Sequence, residues 1–67
     1  MKIFSERLKK TRKAQKRMQK EMADLLNMTV RGYQYYEDGP NEPSYDKLVQ
    51  IAKYLNVSTD YLLGLKD

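Results

Sequence analysis

The chain has no cysteine, no histidine, three glycines and two prolines among its 67 residues. Without cysteine there is no disulfide framework and no thiolate ligand. Without histidine the usual zinc sets and the commonest general base are missing too. No carboxylate pair or nucleophile in the sequence is supported by a base, so the expectation is a non-enzymatic protein with no metal and no small-molecule cofactor. No segment approaches the roughly 18 apolar residues that span a bilayer, and the opening "MKIF" lacks the apolar run of a signal peptide. A cytoplasmic protein with no membrane partner is expected. A short chain buries a smaller fraction of its surface than a long one, which argues against a large enclosed active site and predicts a single domain over 1–67.

What the chain does have is charge, unevenly placed. The total is +4. Met1 to Arg31 carries ten basic residues against Glu6, Glu21 and Asp24, a net of +7, while the remainder carries three against six, a net of −3. A basic half gains counterion-release free energy and faster encounter with a polyanion, so nucleic acid is the natural class of partner.

Apolar residues recur at helical spacing and never alternate over a useful length, which predicts an all-α protein of five helices and no sheet. Phe4 and Leu8 start a thin stripe for a first helix from about Ile3 to Gln15. Met22, Ala23, Leu25 and Leu26 form the buried face of a second, ended by Asn27, which tolerates a left-handed backbone. Thr29 can cap a third. "EDGPNEPS", Glu37 to Ser44, breaks the helical pattern with Gly39, Pro40 and Pro43 and reads as a loop. Ser44 caps a fourth helix carrying Leu48, Ile51, Ala52 and Leu55, and Ser58 caps a short fifth closed by Gly64.

The tyrosines of "VRGYQYYEDG" divide by helical geometry. At about 100° per residue, Tyr33 and Tyr36 fall on one side, toward Met22, Ala23 and Leu26, and Arg31, Gln34 and Tyr35 fall on the other. The second side is either idle surface or a contact surface. Two helices of about eight residues joined by a turn of about three form the geometry that holds a helix proud of a domain for insertion into the DNA major groove.

Arg12, Gln19 and Ala23, then "YEDG" at Tyr36 to Gly39, then "EPSYDKLVQIAKYLNVSTDYLLG" at Glu42 to Gly64, together resemble the Cro and phage repressor type of helix-turn-helix domain, the XRE-like family. The resemblance covers nearly the whole chain and lies in the ordered set rather than in any fragment. It implies a compact five-helix repressor-like fold with the helix-turn-helix at about 18–37. It also implies a sequence-specific transcriptional regulator, a repressor or Cro-like switch, whose recognition helix, about 29–37, enters the major groove of an operator.

Carried onto this chain, the resemblance assigns base contacts to Val30, Arg31, Gln34 and Tyr35. It assigns phosphate contacts to Arg12, Gln19, Lys20 and Thr29, and a structural ion pair to Arg12 and Glu37. Arg31 is the sharpest base reader, because a guanidinium can give two parallel hydrogen bonds to guanine O6 and N7. One recognition helix reads too few base pairs to be selective, so a homodimer on a palindromic operator is expected. Tyr61, Leu63 and Leu65 are the expected dimer patch, with Leu62 assigned to the core. Two other readings stay open at this point: an RNA or single-strand binder stacking on Tyr35, and an antitoxin-like protein interaction module.

The chain departs from the family pattern in several places. Met18 stands where Ser or Thr usually caps the helix before Gln19, and Arg17 where an apolar residue is usual, so a looser or shifted junction is expected there. Thr11 replaces a common leucine. Gly32 inside the recognition helix should cost about 1 kcal/mol relative to alanine. Asp38 and Glu42 occupy a loop that often offers basic residues to phosphate, which weakens a second clamp or turns the loop toward another subunit.

Overall fold

The computed structural model describes residues 2–67, and among these it is all-helical. Helix α1 spans Lys2–Ala14, α2 Gln19–Leu25, α3 Val30–Asp38, α4 Tyr45–Leu55 and α5 Thr59–Leu63. The first helix therefore ends one residue before the predicted Gln15. Its last turn gives way to Lys16, whose φ of 59° is left-handed.

Each of the later helices begins where a side chain or backbone can satisfy its orphan N–H groups. The hydroxyls of Thr29, Ser44 and Ser58 accept from the amides of Gly32, Lys47 and Tyr61, each relieving one of the four donors a helix start leaves open. Met18 cannot do this, and α2 starts without a side-chain cap. At their C-terminal ends α2 and α4 close alike. Asn27 and Asn56 both take φ near 56°, and the following amides, of Met28 and Val57, bond back to Ala23 O and Ala52 O at 3.0 Å. Met28 and Val57 then fold onto the core, the apolar contact that usually accompanies this closure.

The recognition-helix segment runs one residue past its predicted end. Glu37, where the predicted helix and the predicted loop met, is helical, and so is Asp38, because the left-handed residue that stops the helix is Gly39, at φ 103°. The loop thus starts at Gly39.

All five helices contribute to one apolar cluster. It holds Phe4 and Leu8 of α1, Met22, Ala23 and Leu26 around α2, Tyr33 and Tyr36 of α3, Ile51, Ala52 and Leu55 of α4, and Leu62 of α5. Full burial of each large side chain contributes about 1.5 to 3 kcal/mol of transfer free energy, which a domain this small cannot forgo. Leu25 was expected on this face but is exposed. With Met22, Ala23 and Leu26 filling the face toward the core, its angle on a straight helix points it to solvent.

The junction before α2 is pinned rather than loose. Gln15 Nε2 donates to Leu55 O at 2.6 Å and Arg17 Nη2 to Tyr54 O at 3.0 Å, so two linker side chains clasp the free carbonyls at the end of α4. An apolar residue at position 17 could not do this.

Across the middle of the molecule runs a buried ion pair. Arg12 Nε and Nη2 donate to Glu37 Oε2 and Oε1 at 2.6 and 3.1 Å, and Nη1 donates to Arg17 O at 2.9 Å. The Glu37 side chain is fully buried and that of Arg12 nearly so. Burial pushes the Glu37 carboxyl upward, but hydrogen bonds led by that of Arg12 outweigh it and hold the group below its ordinary value. The same bonding raises Arg12.

Glu37→Ala strands the Arg12 guanidinium in the interior at a cost of about 3 to 5 kcal/mol. In a domain of this size that lowers the melting temperature by more than about 10 °C, read from a circular-dichroism melt; a melt within about 2 °C of wild type contradicts the assignment. The pH dependence has a fixed sign. Because the folded-state value lies below the ordinary 4.5, the contribution of Glu37 is fully present above that value and is lost as pH falls through the folded one. Urea titrations from neutral to acid pH should show stability falling below the ordinary glutamate range, and falling less steeply in Glu37→Gln.

Candidate nucleic-acid interface

Helices α2 and α3, with the turn at Leu26 to Thr29, form a helix-turn-helix in which α3 has one face sealed and one open. Tyr33, Tyr36 and Glu37 are buried, and the two rings meet edge to face at 6.3 Å. Burial and the adjacent Glu37 carboxylate push the Tyr33 hydroxyl far above its ordinary range, and burial raises Tyr36. Both stay neutral at any physiological pH. Their hydroxyls are parts of the packing and not titrating groups.

The position of α3 is fixed from three sides. Glu37 ties it to α1 through Arg12. Ser5 Oγ donates to Tyr36 O at 2.6 Å, a second link from α1. Gly32 allows the third. A Cβ at this position would lie 3.1 Å from Thr29 Oγ1 and 3.2 Å from Met28 Cε, so the glycine leaves room for the capping hydroxyl and for the methionine of the turn. The propensity cost of a glycine in the first turn of α3 is offset by the close approach it allows.

The open face carries Arg31 and Tyr35. Arg31 is exposed, meets no acidic partner among the described residues, and lies with Nη1 3.5 Å from the Tyr35 hydroxyl. Tyr35 is 37% exposed. Thr29 is exposed. Its hydroxyl oxygen accepts from Gly32, which leaves its O–H free to donate outward. Lys20 is exposed and bridges Asp24 at 3.0 Å, an exposed pair that contributes little to stability and is easily exchanged for another anion.

The other residues singled out from the sequence sit differently. Val30 is half-buried against the core, so only part of its side chain is on the open face. Gln34 is half-buried and donates to Gln19 Oε1 at 3.1 Å, while Gln19 Nε2 donates to Glu37 Oε1 at 3.2 Å. Arg12, assigned to phosphate as well as to Glu37, is 8% exposed with all three guanidinium nitrogens engaged inside the protein. It is an internal strut, not a surface cation, because the buried carboxylate competes for it at short range.

The link from Gln19 to both Glu37 and Gln34 was not foreseen. The helical angle of Gln34 gave its side but not its reach, and nothing in the spacing of Gln19 and Gln34 announces a contact across two helices. At the far end of the molecule, Tyr61 is half-buried under the Arg7 guanidinium, 4.6 Å from its ring centre. Leu63 is half-buried, Leu62 sealed, and Leu65 74% exposed, and the exposed Ile3 lies against Gly64.

Among the described residues no helix is long and apolar enough to cross a membrane. A helix-turn-helix family model matches residues 8–62. The uncharacterized HTH-type transcriptional regulator YqaE of Bacillus subtilis is 51% identical over 61 residues, 91% of this chain and 53% of the relative. The cryptic phage CTXphi transcriptional repressor RstR of Vibrio cholerae is 42% identical over 64 residues, 96% of this chain and 56% of the relative. The crystal structure of a transcriptional regulator from Listeria innocua matches with a TM-score of 0.87 at 33% identity, over 96% of this chain and 60% of that one. The chain thus spans little more than half the length of its curated relatives. Two short helices packed on each other with Ala23 buried, a tight turn at Asn27, and a match that runs from Leu8 to Leu62 agree with one another, and the chain belongs to the helix-turn-helix family.

Proposed function

We propose that this chain is the DNA-binding part of a cytoplasmic, non-enzymatic transcriptional regulator of repressor type, with α3 as the helix that enters the major groove. The observation that carries the reading is the division of α3. Tyr33, Tyr36 and Glu37 anchor it inside while Arg31 and Tyr35 stand outside, and Arg31 is the last of the ten basic residues that give Met1 to Arg31 its positive excess. A rigidly backed guanidinium on an open helix face is the group best suited to read guanine.

In this reading Arg31 reads a guanine, Tyr35 meets a base edge or a phosphate beside it, and Val30 touches a thymine methyl with its exposed part. Thr29, Gln19 and Lys20 hold phosphates and set the register. Arg12 acts from within by fixing Glu37. The relatives named as a transcriptional repressor and as transcriptional regulators support the class of function.

A single such helix covers too few base pairs for selectivity, so two copies are proposed to bind a palindromic operator with half-sites about 34 to 36 Å apart. The surface proposed for their contact is Tyr61, Leu63 and Leu65, where exposed Leu65 and Ile3 leave apolar area uncovered in the single chain.

Selection of bound duplexes from a random pool at fixed salt tests the reading. A two-fold symmetric sequence should be enriched, and Arg31→Ala should lose about 1 to 3 kcal/mol of preference at one guanine while sparing the rest. An unchanged preference removes Arg31 as a reader. Enrichment of single strands over duplex points to an RNA or single-strand binder instead.

A further inference from the structure

Behind the open face of α3, three side chains form a directed line. Glu37 is a buried carboxylate paired with Arg12, so it offers acceptors and no donor. Gln19 must therefore turn its amide nitrogen inward, and Nε2 lies 3.2 Å from Glu37 Oε1. That choice turns Gln19 Oε1 toward α3, where only a donor fits, and Gln34 Nε2 supplies it at 3.1 Å. Each hydrogen bond leaves the next group one orientation. The line ends at the half-buried Gln34, whose amide has its carbonyl oxygen and its second N–H still unspent.

An amide edge with one acceptor and one donor complements adenine, which presents the N6 donor and the N7 acceptor in the major groove. Guanine presents two acceptors there, O6 and N7. To satisfy guanine, Gln34 would need both of its N–H groups, and one is held by Gln19. We propose that Gln34 reads an adenine, and that Glu37, acting through Gln19, sets this choice by fixing which end of the Gln34 amide faces outward. Gln34 is then a specificity-determining residue, while Gln19 and Glu37 are positioning residues. The proposal rests on the DNA-binding reading above and adds a base identity to it.

The test is duplex selection from a random pool at one salt concentration with wild type, Gln34→Ala, Gln19→Met and Gln34→Glu, with a thermal melt on each protein. Gln19→Met keeps the length of the side chain and removes its amide. Wild type should show an adenine that Gln34→Ala no longer selects. In Gln19→Met the adenine-over-guanine ratio at that position should fall on the order of tenfold, toward parity, with other positions unchanged. Gln34→Glu, at a half-exposed site that asks little of folding, should move the preference from adenine toward cytosine, whose N4 group is a donor. A loss of affinity in Gln19→Met that is uniform across sequences, with the adenine preference intact, overturns the proposal and leaves Gln19 as a phosphate contact only. So does retention of adenine by Gln34→Ala or Gln34→Glu. In those cases the DNA-binding reading stands on the wild-type selection, whereas a wild type that enriches no duplex removes that reading and this one together.

Discussion

The buried pair of Arg12 and Glu37 is the constraint on which the rest of the structure depends. It joins the last turn of α1 to the last turn of α3, and through Arg12 Nη1 it reaches the carbonyl of Arg17 just before α2. Three elements that a domain of this size could otherwise pack in several ways are thereby held in one. Buried pairs are poor sources of net stability, because removing two charges from water costs about as much as their attraction returns. What such a pair supplies is placement. Apolar contacts are non-directional, whereas a guanidinium that gives two bonds to a carboxylate accepts few relative orientations.

Placement matters here because α3 is short and has only one face to spend on the core. Tyr33, Tyr36 and Glu37 occupy it, so Arg31 and Tyr35 are left outside by the geometry of the helix. The same carboxylate that anchors α3 also receives Gln19, which in turn receives Gln34. Anchor and outward face are thus connected by hydrogen bonds as well as by the backbone. Asp38, at the end of α3, and Glu42, on the loop that follows, are both exposed, so the charge beside the outward face of α3 turns acidic at its C-terminal end.

Much of this was legible in the sequence for stateable reasons. Periodicity and capping residues marked all five helices, since Thr29, Ser44 and Ser58 have no other strong reason to precede apolar runs. The partition of the tyrosines followed from the angular step of a helix. The errors are equally physical. Leu25 was counted as buried because it stands three residues after Met22, a spacing that usually shares a face, but on this helix it lies on the flank of Met22 turned away from Ala23 and Leu26. Asp38 was counted into the loop because the Gly-Pro pair right after it reads as a break, whereas the left-handed stop at Gly39 lets the helix run through Asp38. The junction at Arg17 looked loose because a family pattern records which residue is usual and not which carbonyls a different residue can satisfy. The contact of Gln19 with Gln34 was invisible, because long polar side chains reach across helices in ways that spacing along one helix does not encode.

A double-mutant cycle over Arg12 and Glu37, with each replaced by methionine singly and together, tests the central claim most directly. If the pair is what orients the helices, each single variant strands one buried charge and loses about 3 to 5 kcal/mol of unfolding free energy, whereas the double variant strands none and loses much less than the sum of the two. Losses that simply add would show that Arg12 and Glu37 act independently, and the account of how α3 is held would be wrong.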